Sequence, residues 1–341
     1  MRPSLVSKAV HTCITADRPL MLWGPPGVGK SSLVAQYAKA NDFELIDLRL
    51  SQLDPVDLRG VPRVDLETLL TSWAPPDFFP TTGRGIIFLD EVNSASQATQ
   101  ASAYQLILDR RLGKYVLPKE WRIIAAGNRV TDRAIVNQMA TPLRNRFTHI
   151  EVESNAQDWT RWAMASEICD EVLGFIRFRP EMLNEFAPRP ASPQETARMN
   201  AVKDARAFAS ERSWHALSDE FKVGVPKEIE LDIYEGNVGT VAATEFMAYL
   251  TNARNMPNLD VIMLNPQNAR VPTEPSAMYA VSVGLAARVK PENFDRAMMY
   301  MNRLPAEFQT LMIKDAEFRT PEIVETKAFQ TWAINNGEAL I

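Results

Sequence analysis

A glycine-rich turn that ends in a lysine and a hydroxyl can hold phosphate. This chain carries one at Gly24-Pro25-Pro26-Gly27-Val28-Gly29-Lys30-Ser31-Ser32, which fits G-x-x-x-x-G-K-[ST] at every fixed position. Glycines let the backbone wrap an anion, so that N–H groups and a positive helix N-terminus face the charge. In that reading Lys30 reaches the β- and γ-phosphates and Ser31 ligates Mg²⁺. A Gly/Pro-rich turn could match by chance, but the flanks are those the motif needs. The apolar run Pro19–Trp23 precedes it, and Leu33, Val34, Tyr37 and Ala38 follow at helical spacing.

A second set of chemical groups lies further on. Gly85-Ile86-Ile87-Phe88-Leu89-Asp90-Glu91 is an apolar run that ends in two acids. A buried strand of this kind delivers carboxylates at its C-terminal end, where open α/β sheets bind ligands. Asp90 is expected to hold Mg²⁺ through its water shell, and Glu91 to orient and deprotonate an attacking water. The run Trp121–Ala126 ends in Gly127-Asn128. Asn128 either holds the water or senses the γ-phosphate, or else closes a turn. Leu143-Arg144-Asn145-Arg146-Phe147 ends a helix with two arginines. They either complement the helix dipole, or one of them reaches a neighbouring subunit's nucleotide and stabilises transition-state charge.

The elements that must position these groups follow from spacing. Phe43–Leu50 reads as a second strand about one helix length after the loop, which implies a parallel sheet. The stretch 51–80 is long for a simple connection, and is either functional or a cover for the sheet. Ser94–Arg111 has helical periodicity with Gly113 as its stop, and Leu112–Pro118 reads as a short hairpin. Beyond Val152 the chain turns helical, interrupted by a Pro-rich loop at 187–194. Tyr234–Gly239 is expected to precede a helix over Thr240–Leu250, 252–267 to be extended, and three helices to follow over 275–289, 293–301 and 305–315. No catalytic cluster stands in this tail.

Composition narrows the class. The 341 residues are 46% hydrophobic and 23% charged, ordinary for a globular chain large enough for two or three domains. No apolar run approaches the roughly 20 residues of a membrane helix, and the N-terminus lacks a signal-peptide pattern, so a cytoplasmic location is expected. Cys13 and Cys169 form no C-x-x-C pair, which points to neither a disulfide framework nor a zinc site. A net charge of −5 argues mildly against a dedicated nucleic-acid binder, although a local ring of basic residues would not show in the total.

Together the Gly24–Ser31 loop, Ile86–Glu91, Ala126-Gly127-Asn128-Arg129 and Leu143–Phe147 resemble the AAA+ ATPases. Asp54-Pro55-Val56-Asp57-Leu58-Arg59-Gly60-Val61-Pro62 and the Leu112–Pro118 hairpin look like the inserts of the MoxR-type branch, with its NorQ and CbbQ relatives. The resemblance implies an α/β AAA+ core with a parallel sheet over 1–152, with a helix-2 insert at about 51–80 and a pre-sensor-1 hairpin at about 112–118. A helical lid over 153–250 and a helical C-terminal region over 251–341 would follow. By position, Lys30 and Ser31 match Walker A, Asp90 and Glu91 Walker B, and Asn128 sensor 1. Arg146 best matches the arginine finger, with Arg144 as competitor. The stretch 209–219 resembles the lid motif with Glu211 in place of its proline, so Arg212 matches sensor 2 and Arg189 is the alternative. ATP, Mg²⁺ and a hexameric ring are implied, as is a remodelling-chaperone role on a protein client with a von Willebrand factor A domain partner. A nucleic-acid-dependent motor and a non-hydrolysing switch or scaffold are the rival readings.

Overall fold

Adjacent residues on a strand point to opposite faces of its sheet, and this chain uses both faces. Met21, Ile87, Leu89, Ile123 and Ala125 share one apolar cluster with Ala103, Leu106 and Ile107. Their neighbours Leu20, Leu22, Ile86, Phe88, Ile124 and Ala126 share another with Val6, Val10, Val34 and Tyr37. A sheet buried on both faces, with near-continuous apolar strands, is the signature of parallel pairing under helices. The computed structural model, which describes residues 1–68, 70–129, 139, 141–187, 192, 198–199, 202, 205–254 and 256–336, shows that architecture.

The chain divides into two units, the first comprising Met1–Asn155 with Phe186–Pro190 and the second Ala156–Glu185 with Ala191–Ile341. In the first unit, β1 (Leu20–Trp23), β2 (Glu44–Arg49), β5 (Gly85–Asp90), β8 (Trp121–Gly127) and β9 (Thr148–Glu151) form a sheet in the order β2-β5-β8-β1-β9. Every pairing in it is parallel. Helices α1 (Pro3–Thr15) and α2 (Lys30–Ala40) contribute to one apolar cluster, and α4 (Gln97–Asp109) to the other. Helix α1 has no counterpart among the sequence expectations, although Val6, Val10, Cys13 and Ile14 give it a buried stripe.

The long connection after β2 is built, not loose. A 3₁₀ turn at Leu50–Gln52 leads into α3 (Pro55–Arg59), whose N-terminus is closed by reciprocal bonds between Asp54 and Asp57. An antiparallel ribbon of β3 (Val61–Val64) and β4 (Thr71–Ala74) follows. A second ribbon, β6 (Arg111–Leu112) with β7 (Tyr115–Val116), lies where a hairpin is expected. The stop of α4 differs from expectation: Arg110, at φ 56°, takes the left-handed cap, and Gly113 sits in the hairpin turn. The short helix α5 (Thr141–Arg144) precedes β9.

The second unit is helical: α6 (Ala156–Ala165), α7 (Asp170–Phe178), α8 (Glu211–Val223), α9 (Glu230–Val238), α10 (Thr240–Arg254), α11 (Leu259–Leu264), α12 (Pro275–Ala286), α13 (Phe294–Met301), α14 (Ala306–Arg319) and α15 (Lys327–Asn336). Two expectations fail here. Tyr234–Val238 belongs to α9 and does not merely precede a helix, and the stretch expected to be extended contains α11, started by the Asn258 side chain accepting from Asp260 N. Phe175, Trp214, Phe246 and Tyr249 anchor one apolar cluster, and Phe294, Tyr300, Phe308 and Met312 another. Helix α12 serves both, placing Val283 in the first and Val281 and Leu285 in the second. The buried Arg177–Asp315 pair and the Arg319–Asp170 pair at 2.8 Å tie α7 to α14. No helix among the described residues is long and apolar enough to cross a membrane.

Candidate functional site

Each parallel strand delivers the residues after its C-terminal end to one edge of the sheet. Trp23 is in register with Gly127 and Arg49 with Asp90. The loop 24–29, the acids 90–91 and Asn128 therefore meet there without further adjustment. Gly27 and Gly29 adopt φ of 79° and 88°, and Gly29 caps α2. A side chain at Gly29 would force a left-handed backbone that costs roughly 1 kcal/mol or more.

Within this edge the polar groups are joined pairwise. Lys30, only 8% exposed, donates from Nζ to Gly24 O at 2.8 Å, Pro25 O at 3.1 Å and Asn128 Oδ1 at 3.1 Å. Ser31 Oγ donates to Asp90 Oδ2 at 2.6 Å. The predicted Walker A lysine thus touches the predicted sensor, and the predicted Mg²⁺ pair touches itself. A hydroxyl beside a carboxylate is a hard-oxygen donor set of the kind Mg²⁺ takes. The field agrees: burial, then the charge of Asp90, push the Asp47 carboxyl above its ordinary range against the pull of Arg49. Pro25 and Val28 are buried, Pro26 is half-buried, and Ser32 is exposed on α2.

Glu91 follows β5 with φ 55°, a left-handed conformation in a residue with a side chain. Such strain costs of order 1–3 kcal/mol and gathers at functional positions. Its carbonyl accepts from Ser94 N at 2.9 Å and Ala95 N at 3.3 Å, which hold the turn. Its carboxylate accepts from Ser51 Oγ, just past the end of β2.

Two residues of this site escape the sequence reading. Ser51 is one. The other is Asn93, 2% exposed, whose Nδ2 donates to Asn128 O at 2.7 Å and whose Oδ1 accepts from Asn128 N at 3.2 Å. Asn93 thereby grips both backbone polar groups of Asn128 as a paired strand would. A Cβ on Gly127 would lie 2.5 Å from Asn93 Oδ1, so the grip requires glycine there. Only the Asp-Glu-Val-Asn order hints at it, and Asn alone is too common to decide.

Arg144 and Arg146 are exposed and lie just before β9, at the opposite edge of the sheet from Lys30. Trp23 Nε1 donates to His149 Nδ1 at 2.8 Å, which makes His149 Nε2 the donor to Arg144 O at 2.7 Å. That chain of bonds fixes the corner carrying both arginines against the strand before the phosphate loop. Arg212 is exposed in the first turn of α8, in the second unit. Glu211 beside it is 8% exposed and accepts from Asn184 Nδ2 at 2.6 Å, so the residue in the place of the motif's proline is bonded, not idle. Arg189 lies outside the described residues.

A phosphate loop, strand-end acids and a strand-end amide on this sheet order define the class: the first unit has the AAA+ P-loop fold. Residues 19–147 match the family described as AAA domain (dynein-related subfamily). The chain is 27% identical over 197 residues to the midasin of Giardia intestinalis and 29% identical over 184 residues to that of Dictyostelium discoideum. These stretches cover 51% and 49% of this chain but only 4% and 3% of the two midasins. Among solved structures, NtrX of Brucella abortus in complex with ADP overlays 99% of this chain and 68% of its own, at 15% identity and a TM-score of 0.41. The RuvB Holliday junction branch migration motor of Thermotoga maritima overlays 88% and 85%, at 16% identity and a TM-score of 0.38.

Proposed function

We propose that this chain is a Mg²⁺-dependent ATPase of the MoxR type that works as a ring, most simply a hexamer, and remodels a protein client together with a von Willebrand factor A domain partner. One observation carries the catalytic part: Lys30, Ser31, Asp90, Glu91 and Asn128 converge on one strand edge, bonded to one another. Phosphoryl transfer asks for positioning and charge neutralisation more than for covalent chemistry. Ser31 and Asp90 would hold Mg²⁺, which when bound neutralises charge on the β- and γ-phosphates. Lys30 releases its loop carbonyls to take the same phosphates. Glu91 accepts the proton of the attacking water, and Asn128, held by Asn93, orients that water or the γ-phosphate. The helical region 153–250 would serve as the lid domain with Arg212 as sensor 2, and the helical region 251–341 would follow it.

Arg146 acts on the nucleotide of the next subunit in this reading, with Arg144 as the weaker candidate. The match to the dynein-related AAA family supports the ring, and the ribbon at 61–74 supports the MoxR assignment. The test is ATPase rate across a protein concentration series, with Glu91→Gln as control and size analysis with ATP present. A rate per subunit that climbs with concentration, together with an ATP-dependent assembly of the Glu91→Gln form, is expected. A flat rate over a range where the protein is shown to be monomeric would remove the ring. A DNA-dependent rise in rate with steep salt dependence would replace the remodelling role with a nucleic-acid motor.

A further inference from the structure

At the amino-terminal edge of the sheet lies a cavity of about 160 Å³ lined by Asp17, Arg18, Ile107, Arg110, Arg122 and Arg146 among others. Four guanidiniums face it against a single carboxylate. They fall into two kinds. Arg110 donates to Pro118 O at 3.0 Å and Trp121 O at 2.8 Å and pairs with Asp17 at 3.3 Å. Arg122 donates to Ile14 O at 3.0 Å and pairs with the same carboxylate at 3.4 Å. These two form the wall; bonds to neutral carbonyls leave most of their charge standing. Arg18 and Arg146 have no side-chain hydrogen bond or ion pair among the described residues, and both are exposed. The backbone under Arg18 is fixed, its N–H bonding Cys13 O at 2.9 Å after Asp17 turns at φ 51°.

We infer that this cavity is an anion site, and that Arg18 joins Arg146 in holding the terminal phosphate of a nucleotide bound to a neighbouring copy of this chain. The inference rests on the ATPase reading above. Three considerations select the ligand. The volume suits a phosphoryl group, whereas a drug-sized molecule takes roughly 300 Å³ or more. Guanidinium forks match phosphate oxygens bidentately, and two free forks can share the charge spread over the terminal oxygens. Neither arginine can serve its own loop: the seven residues of β8 span about 20 Å between the two edges. The donor and the acceptor of the phosphate contact therefore sit on different copies, in a head-to-tail arrangement that closes as a ring.

The test uses the full chain with Arg18→Ala, Arg18→Lys, Arg146→Ala and Lys30→Ala, alone and in equal mixtures. Arg18→Ala is expected to lower turnover roughly 10- to 100-fold, the worth of one charge-assisted contact, with binding of a fluorescent nucleotide analogue unchanged. Arg18→Lys, which keeps the charge and loses the fork, is expected to fall between. Mixing Arg18→Ala with Lys30→Ala should restore turnover above either alone, because the first supplies an intact loop and the second intact arginines. An active wild type with an unimpaired Arg18→Ala, or no restoration on mixing, overturns the role of Arg18 and leaves the ATPase reading standing. A wild type without ATPase activity at any concentration overturns that underlying reading instead.

Discussion

The two edges of one sheet are finished differently. At the carboxyl edge the side chains of the proposed phosphate site already have partners within the chain: Lys30 with Asn128, Ser31 with Asp90, Ser51 with Glu91. At the amino edge, among the described residues, Arg110 and Arg122 are held while Arg18 and Arg146 are free. A self-satisfied edge can be folded and kept by one chain alone, since its buried polar groups are paired. An edge with uncommitted cations gains only when something anionic arrives. On the reading proposed above, the contrast is that of an acceptor site with its complementary donor, and the single chain would be half of a working pair.

The sharpest way to break that contrast is Arg146→Ala. Loss of an arginine finger costs about 10³-fold in turnover, so this variant should lose nearly all activity while binding nucleotide normally, whereas Arg144→Ala should retain most of its rate. Equal losses for the two would mean that the corner as a whole, not one guanidinium, carries the effect. At the other edge, Asn93→Ala removes the grip on Asn128. Misplacing a positioning group by an ångström can cost about 10²-fold, and the loss should appear in kcat with KM little changed. If KM rises instead, Asn93 supports the binding loop more than the sensor. Ser51→Ala frees the Glu91 carboxylate from one charge-assisted bond, for an expected change of about tenfold in kcat; an unchanged rate would show that the turn after β5 aims the carboxylate unaided. Asp17→Ala should be the mildest. Its ion pairs are half-exposed, so thermal unfolding should report a loss of about 0.5 kcal/mol.

How far the sequence can be read differs along the same division. The strands and the loop are legible because their signals are local: short apolar runs, glycines at fixed spacing, acids closing a strand. Parallel pairing then carries those ends to one edge. Ser51 and Asn93 are invisible because their meaning lies in partners 40 and 35 residues away, and because serine and asparagine are common in turns. Arg18 is invisible for the same reason, since only the pairing of β1 with β9, Leu20 opposite Thr148, brings it beside Arg146. The misread helices of the second unit have another cause. Prolines and asparagines at 257–267 suggest extended chain, yet Asn258 uses its side chain to start α11, and Ile262, fully buried, makes the short helix worth forming.

The left-handed Glu91 has a consequence for any effort to engineer or select this chain for robustness. Glycine at that position would relieve backbone strain of order 1–3 kcal/mol, so Glu91→Gly is expected to melt no lower than the parent while being unable to turn over ATP. With Glu91 in its proposed role, stability and turnover are therefore opposed at a single residue. A library ranked by thermal tolerance alone would enrich the inert variant, and only a screen that counts released phosphate would keep the carboxylate.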